Sequence, residues 1–507
     1  MKKKEKEISI LITYVGLILG IALYFFSTPF ALKYLGKNEF GVYSLVYTIV
    51  SYFTILDFGF GNAIVRYTSK YLALKNDDKL KQINGLFLIT YTVIGIIALF
   101  IGLILITKSD SIFKSLTLEE IKLVKLMLNI ALINIVLSFP LSVFQSILKG
   151  YGKFIISEVV HVFKILLSPL SIFLAIRLNL NCVGIIIIQT VTNILVALIP
   201  LYYCCFKLNI KFSLKKSKDN FEMFKEIVKF SFYVFLGLIV IKVFWSTDQI
   251  ILGAYVGSFS VSVCSLISQI VQYYSSISET ITKPYLTIIT KEITLAKNKT
   301  LNFTNTFIKI GRVQYYLLFL IMSGFIVFGK EFIILWAGKD FIEVYYLSIC
   351  ILIPLTIPAI QNVGVAILQS LNIHKFRSIV YFVIAILNVI LSLLLVNKYG
   401  IHGTTFGTVS SLVIGHVIIM NIYYKRRLNL NLFKFWSNIF VITIKVLPLT
   451  ILSFIFNYYF SLNNSWILLF IKIFVYAILY FSILYFVVFS LDEKKSIKLF
   501  FERGKKA

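Results

Sequence analysis

The sequence predicts an all-α polytopic membrane protein of about fourteen transmembrane helices, laid out as two parallel six-helix bundles plus two C-terminal helices. Three observations carry that prediction. Hydrophobic residues make up 59% and aromatic residues 16% of the 507-residue chain, at a mean hydropathy of +0.90. That leaves too little polar surface to clothe a soluble protein of this size. The apolar residues are gathered into segments too long and too continuous for the alternating ~10-residue strands of an outer-membrane barrel. The first six segments are echoed by the next six about 220 residues later, as in transporters built from a duplicated unit.

A hydrocarbon core of roughly 30 Å requires about 20 apolar residues per helix, and the segments meet that length in order. The first, near 8–33, follows Met1-Lys-Lys-Lys-Glu-Lys. It is longer than the apolar core of a signal peptide and lacks a small-residue cleavage site, so it reads as an uncleaved first helix. The second, near 40–66, carries Asp57 beside Gly59 and Gly61. Helices near 84–107, 121–147, 154–176 and 183–206 complete the first bundle, 1–207. A Lys-rich linker, 208–229, has an amphipathic stretch around Phe221, Phe224 and Ile227 and reads as a hinge lying on the membrane surface. The second bundle, 230–424, repeats the plan with helices near 230–255, 259–283, 312–329, 346–371, 377–397 and 403–424. Helices near 437–459 and 466–490 and a basic tail make up 425–507. Pro140, Pro169, Pro200, Pro354, Pro358 and Pro448 fall within these helices, where each removes a backbone hydrogen bond and permits a kink.

The 50 Lys and Arg residues outnumber the 22 Asp and Glu, for a net charge of +28. The excess is spread over short loops flanking helices rather than concentrated in one domain, so no nucleic-acid partner is expected. Most of these residues fall on the side of Lys2, Lys3, Lys4 and Lys6, which the positive-inside rule assigns to the cytoplasm. An even number of helices returns the C-terminal tail to that side, so both termini are expected there. Membrane lipids are the second expected partner of the charge, through anionic headgroups.

No catalytic or metal centre can be argued. Cys182, Cys204, Cys205, Cys264 and Cys350 lack metal-ligand spacing, and adjacent Cys204-Cys205 is poor geometry for a disulfide. His161, His374, His402 and His416 lie in separate segments, and no HExxH, GxSxG or GxxxxGK[ST] pattern occurs. The predicted external loops are short, unlike the sizeable external domains of multi-spanning glycosyltransferases and polymerases, so no enzyme is expected. The sequons at Asn298 and Asn302 fall in a connection assigned to the cytoplasm, where they are chance matches.

Laying one half on the other tests the duplication. Tyr34-Leu35-Gly36 pairs with Tyr255-Val256-Gly257 at an offset of 221, each closing the first helix of its half. Lys153-Phe154 pairs with Lys375-Phe376 at 222, and Val183-Gly184 with His402-Gly403 at 219. Each match is short, but three near-equal offsets reinforce one another. Six-helix halves joined by a cytoplasmic linker share one orientation, so the pseudo-two-fold axis runs along the membrane normal.

The residues Leu35-Gly36-Lys-Asn-Glu-Phe40-Gly41-Val-Tyr43, then Leu56-Asp57-Phe-Gly59-Phe-Gly61-Asn-Ala63 with Arg66-Tyr67, and Asp248-Gln-Ile-Ile-Leu-Gly253 resemble a known family. It is that of the lipid-linked oligosaccharide flippases, the O-antigen and capsule repeat-unit translocases of the multidrug/oligosaccharidyl-lipid/polysaccharide exporter superfamily. The resemblance implies a V-shaped pair of bundles enclosing a polar cavity in a bacterial cytoplasmic (inner) membrane. It implies transfer of an undecaprenyl-diphosphate-linked oligosaccharide repeat unit from the cytoplasmic to the outer leaflet for surface polysaccharide biosynthesis, by alternating access. A polyprenyl-diphosphate-linked oligosaccharide is thus the expected partner, with a polysaccharide polymerase and chain-length machinery as further candidates. No cofactor is expected. Without a nucleotide-binding motif, the energy would come from an H+ or Na+ gradient, the membrane potential or substrate flux.

Charges at membrane depth cost roughly 2.5 to 3.5 kcal/mol on insertion scales and are functional candidates for that reason. Lys164 in the fifth helix and Lys242 in the seventh lie well inside their segments and are the expected diphosphate contacts. His161 shares a helix face with Lys164. Trp245 and Asp248 lie within about 120° of Lys242, and Trp245 is placed either to stack on a sugar ring or to pack between helices. Asp57, Asp248 and Glu279 are the candidate ion-coupling or cavity carboxylates, with a simple Glu279–Lys283 pair as the alternative for the last. Arg66, Lys445 and Lys472 lie close enough to helix ends to snorkel. A cation-coupled exporter of drugs or small molecules on the same fold is the alternative function. The final helix pair and the buried lysines favour an anionic lipid-linked cargo over it.

Overall fold

A computed structural model describes residues 3–213, 218–295, 303–371, 373, 375–459, 465–491 and 493–495. The sequons at Asn298 and Asn302, Lys215 and Lys216 of the linker, the Phe221 side chain, His374 and the tail from Ser496 onward lie outside the described residues. Among the described residues every regular element is a helix or a helical turn. Eleven helical stretches are long and apolar enough to cross a membrane. Two of them, Ile18–Ala73 and Lys375–Leu428, are each folded double at a glycine. With the more polar Ser258–Leu295, the plan of about fourteen helices is reached.

The first helix, α1 (Lys3–Phe53), reverses at Gly36, whose φ of 75° and ψ of 172° suit a residue without Cβ. Its two arms therefore run antiparallel. The sequence places one continuous helix over 40–66, and here the structure differs. The chain leaves α1 through a 3-10 turn, Thr54–Asp57, passes Phe58 and Gly59 in the left-handed region (φ 50° and 73°), and starts again as α2 (Phe60–Ala73). The break has no proline. Glycine lets the chain turn, and Asp57 faces the newly freed backbone N–H groups.

The elements that follow obey their caps. Asn76 accepts the Lys79 N–H at 3.0 Å to start α3 (Asp77–Ile112). A capping box between Thr117 and Glu120 starts α4 (Leu118–Gly150). Next come α5 (Phe154–Arg177) and α6 (Cys182–Tyr202), the latter capped by Asn181. The six prolines singled out above all lie inside helices, joined by Pro29 and Pro284.

The seventh helix, α7 (Lys218–Tyr255), begins inside the predicted linker. The amphipathic stretch expected on the membrane surface packs on protein instead. Ile227 is fully buried and Phe224 lies against Phe60 of α2, ring centroids 6.5 Å apart, because an apolar stripe is better covered by a neighbouring helix than by headgroups. Upstream, Ser213 donates its N–H to Lys81 O at 2.9 Å. Its carbonyl lies so close to Gly85 that a Cβ there would stand 2.1 Å away.

The chain then continues through α8 (Ser258–Leu295), α9 (Thr304–Trp336), α10 (Ile342–Ile360) and α11 (Asn362–Ser370). After them come α12 (Lys375–Leu412, turning back at Gly400), α13 (Met420–Leu428), α14 (Leu432–Tyr459) and α15 (Trp466–Ile483). The duplication is visible in the backbone. Left-handed turns at Gly36 and Asn179 recur at Gly257 and Gly400, at the same spacing of 221 residues. The break at Phe58–Gly59 does not recur, since its counterpart near 279–280 sits inside the unbroken α8.

By internal packing the chain forms two units, Met1–Ser265 with Leu393–Thr404, and Leu266–Ser392 with Thr405–Ala507. In the first, α7 and the start of α8 pack with the first six helices. Ser115 Oγ donates to Gly253 O at 2.9 Å, Ser258 Oγ to Glu120 Oε1 at 2.5 Å, and Leu45 fills the space over Gly253. In the second, α14 and α15 are bolted to α9. Lys472 meets both oxygens of Glu331 (3.0 and 3.1 Å) and Asn457 Oδ1 (2.8 Å). Arg312 forks onto Glu493 (3.1 and 2.9 Å) and reaches Asn438 at 2.8 Å. Lys445 donates to Val487 O at 2.8 Å. The snorkelling expected of Lys445 and Lys472 is thus replaced by protein partners. Outward-facing residues such as Phe100, Leu394 and Phe474 are apolar and exposed, as lipid contact requires.

Candidate functional site

Most of the predicted site residues fall in the first unit, on α5, α7 and the helix break. Glycines set the approach of α5 to α1: a Cβ on Gly16 or Gly20 would stand 2.2 Å from Val162 or Ile165. That seam leaves His161, Lys164 and Ser168 on an adjoining face. Lys149 pairs with Glu158 at 3.4 Å at one end of this face. His161 feels Glu158, Lys149 and Lys164 electrostatically, so the predicted His161–Lys164 neighbourhood is present. Lys164 is half-buried, and among the described residues no carboxylate lies within ion-pair distance of it.

Lys242, Trp245 and Asp248 all lie within α7. Lys242 is half-buried with no carboxylate partner among the described residues. Trp245 is 36% exposed, its ring edge-on to buried Phe244 with centroids 4.8 Å apart. Asp248 lies near the Tyr52 hydroxyl. Tyr52 bonds Thr247 Oγ1 at 2.6 Å and donates to Lys242 O at 3.3 Å, and Thr48 donates to Gln249. These contacts fix α7 on the second arm of α1. The two lysines stand on helices that share α1 as neighbour, and among the described residues no hydrogen bond or ion pair joins them.

Asp57 occupies the helix break. Its carboxylate accepts a hydrogen bond from Tyr91 on α3 and faces the backbone N–H groups of Gly59 and Gly61 at the start of α2. A Cβ on Gly61 would stand 3.5 Å from Ser146 Oγ, 3.7 Å from Asp57 Oδ2 and 3.8 Å from the Tyr91 hydroxyl, so three polar side chains converge there. Glu279 belongs to the second unit, where it is exposed on α8. Among the described residues no ion pair joins it to Lys283.

Sequence reasoning missed a cluster of neutral groups beside Lys164. Tyr24 donates to Ser168 Oγ at 2.6 Å, and Gln189 Nε2 reaches Tyr43 OH at 2.9 Å and Ser168 Oγ at 3.3 Å. The Tyr47 hydroxyl meets that of Tyr24. The signal was Gln189 itself, an amide inside an isoleucine-rich segment. Among the described residues no group of three or more His, Cys, Asp or Glu could hold a metal ion.

The model of the family described as polysaccharide biosynthesis protein matches residues 6–290, more than half of the chain, spanning the break, the α5 face and these residues of α7. The chain belongs to the polysaccharide biosynthesis protein family. The chain is also 20% identical over 414 residues to EpsK of Bacillus subtilis (strain 168), an uncharacterized membrane protein, covering 81% of each. Among solved structures, it is similar to the lipid II flippase MurJ in an inward closed conformation. There the TM-score is 0.74 at 16% identity, over 94% of this chain and 99% of that one. An inward-facing multidrug resistance MATE transporter of the MOP superfamily aligns with TM-score 0.66 at 15% identity, over 83% and 98%. At such identities the likeness is one of fold: this is a multi-pass membrane protein with the architecture of membrane flippases and exporters.

Proposed function

We propose that this member of the polysaccharide biosynthesis protein family is a flippase. It moves undecaprenyl-diphosphate-linked oligosaccharide repeat units from the cytoplasmic to the outer leaflet of a bacterial cytoplasmic membrane, by alternating access and without catalysis. The observation that carries the reading is a contrast among cations in the helices. Arg312, Lys445 and Lys472 have protein partners, whereas Lys164 and Lys242 stand half-buried with no carboxylate among the described residues. An ammonium kept at membrane depth without a counter-ion is suited to an anionic ligand, and a diphosphate supplies it.

In this reading Lys164, with His161 beside it, and Lys242 bind the diphosphate, and Trp245 offers a ring to a sugar. Asp57, Asp248 and Glu279 are the carboxylates through which H+ or Na+ would couple. Both termini are cytoplasmic, and a polymerase and chain-length machinery receive the product. The test uses a strain deleted for the gene. Wild-type protein should restore surface polysaccharide, while Lys164→Ala and Lys242→Ala, at equal membrane levels, should lower it about tenfold or more. Full restoration by both variants would remove the proposed contacts.

A further inference from the structure

Tyr24, Tyr43, Tyr47, Ser168 and Gln189 have no part in the diphosphate or coupling roles, yet they form one connected cluster. Tyr24 and Tyr47 lie 12 and 11 residues from the Gly36 turn, about 17 Å down their arms and near the middle of the bilayer core. Hydroxyl and amide groups at that depth are satisfied by protein, by a ligand or by water in a cavity. Among the described residues no carboxylate bonds to any of the five, so the cluster is made of neutral donors and acceptors. Tyr43 is buried, but Tyr47 is 50% exposed, so the cluster ends in an accessible aromatic ring.

Neutral donors and acceptors beside an accessible ring match a sugar. Its hydroxyls exchange hydrogen bonds with amide and hydroxyl groups, and its C–H face lies on an aromatic. Ser168 follows Lys164 by one turn on the same face of α5, a rise of about 6 Å, roughly the step from a diphosphate to the first sugar ring attached to it.

We infer that this cluster is a saccharide subsite that receives the first sugar ring of the cargo while Lys164 holds the diphosphate. The inference rests on the flippase reading. The test measures binding of lipids to the purified full-length protein in nanodiscs by native mass spectrometry. The probes are undecaprenyl diphosphate, bare or bearing N-acetylglucosamine, glucose or galactose. Wild-type protein should bind at least one sugar-bearing probe about tenfold more tightly than the bare lipid. Tyr47→Ala and Gln189→Ala should lose most of that ratio while keeping the affinity for the bare lipid, which also certifies their folding. Lys164→Ala should weaken every probe alike. Equal binding of all four probes by wild type, or an unchanged ratio in both cluster variants, would overturn the subsite and leave the flippase reading standing. Binding of no probe by wild type would overturn both.

Discussion

At the scale of residues, the cations within the helices divide into those with protein partners and two, Lys164 and Lys242, with no carboxylate partner among the described residues. Lys472 and Arg312 are both enclosed with carboxylates, and an ion pair in such a place holds only because each charge is hydrogen-bonded. Glu493 makes the point outside the membrane. Burial works against its charge, but hydrogen bonds from Arg312, the Ser490 backbone and Tyr316 outweigh that and hold its carboxyl below its ordinary 4.5. A depressed carboxylate contributes stability above its unfolded pKa and loses it as pH falls through the folded one. Thermal unfolding of wild type and Glu493→Gln should therefore differ at neutral pH, with wild type the more stable, and converge below about pH 4. A gap that stays constant to pH 3 would contradict the linkage. Lys164 and Lys242 were legible in the sequence because charge inside an apolar run is conspicuous. The Arg312–Glu493 and Lys472–Glu331 pairs were not, since their partners lie 181 and 141 residues away. Tyr24 and Tyr43 were lost among the 30 tyrosines.

At the scale of elements, the break between α1 and α2 is where the two halves part company. Asp57 and its glycines were noticeable in the sequence, but hydropathy averages over a window and passes smoothly across a turn made of Leu, Phe and Gly. The same blindness hid the start of α7, where lysines read as linker although Ile227 and Phe224 form a packed stripe. Gly59 at φ 73° should tolerate no side chain without strain. Gly59→Ala is expected to cost about 1 to 2 kcal/mol, read as a lowered thermal midpoint in detergent. Gly237→Ala should be neutral or mildly stabilising, because Gly237 lies within α7 and a Cβ there would meet nothing within 4 Å. Equal effects of the two would show that the break is not a strained joint. Asp57 and Tyr91 tie the two sides of this joint together.

At the scale of the whole molecule, the plan of paired helical repeats was the most legible feature. It is written redundantly, in segment lengths, loop charge and near-equal offsets, and the turns at Gly36, Asn179, Gly257 and Gly400 carry it in the backbone. The proposed cargo was suggested only by resemblance, because no spacing of residues spells out a sugar. The direct measurement is flipping in liposomes of purified protein, using fluorescent undecaprenyl-diphosphate-linked N-acetylglucosamine and an impermeant quencher. Wild type should expose inner-leaflet probe to the quencher faster than protein-free liposomes, and Lys164→Ala should slow this about tenfold. Movement of a cationic dye, with none of the diphosphate-linked lipid, would contradict the account.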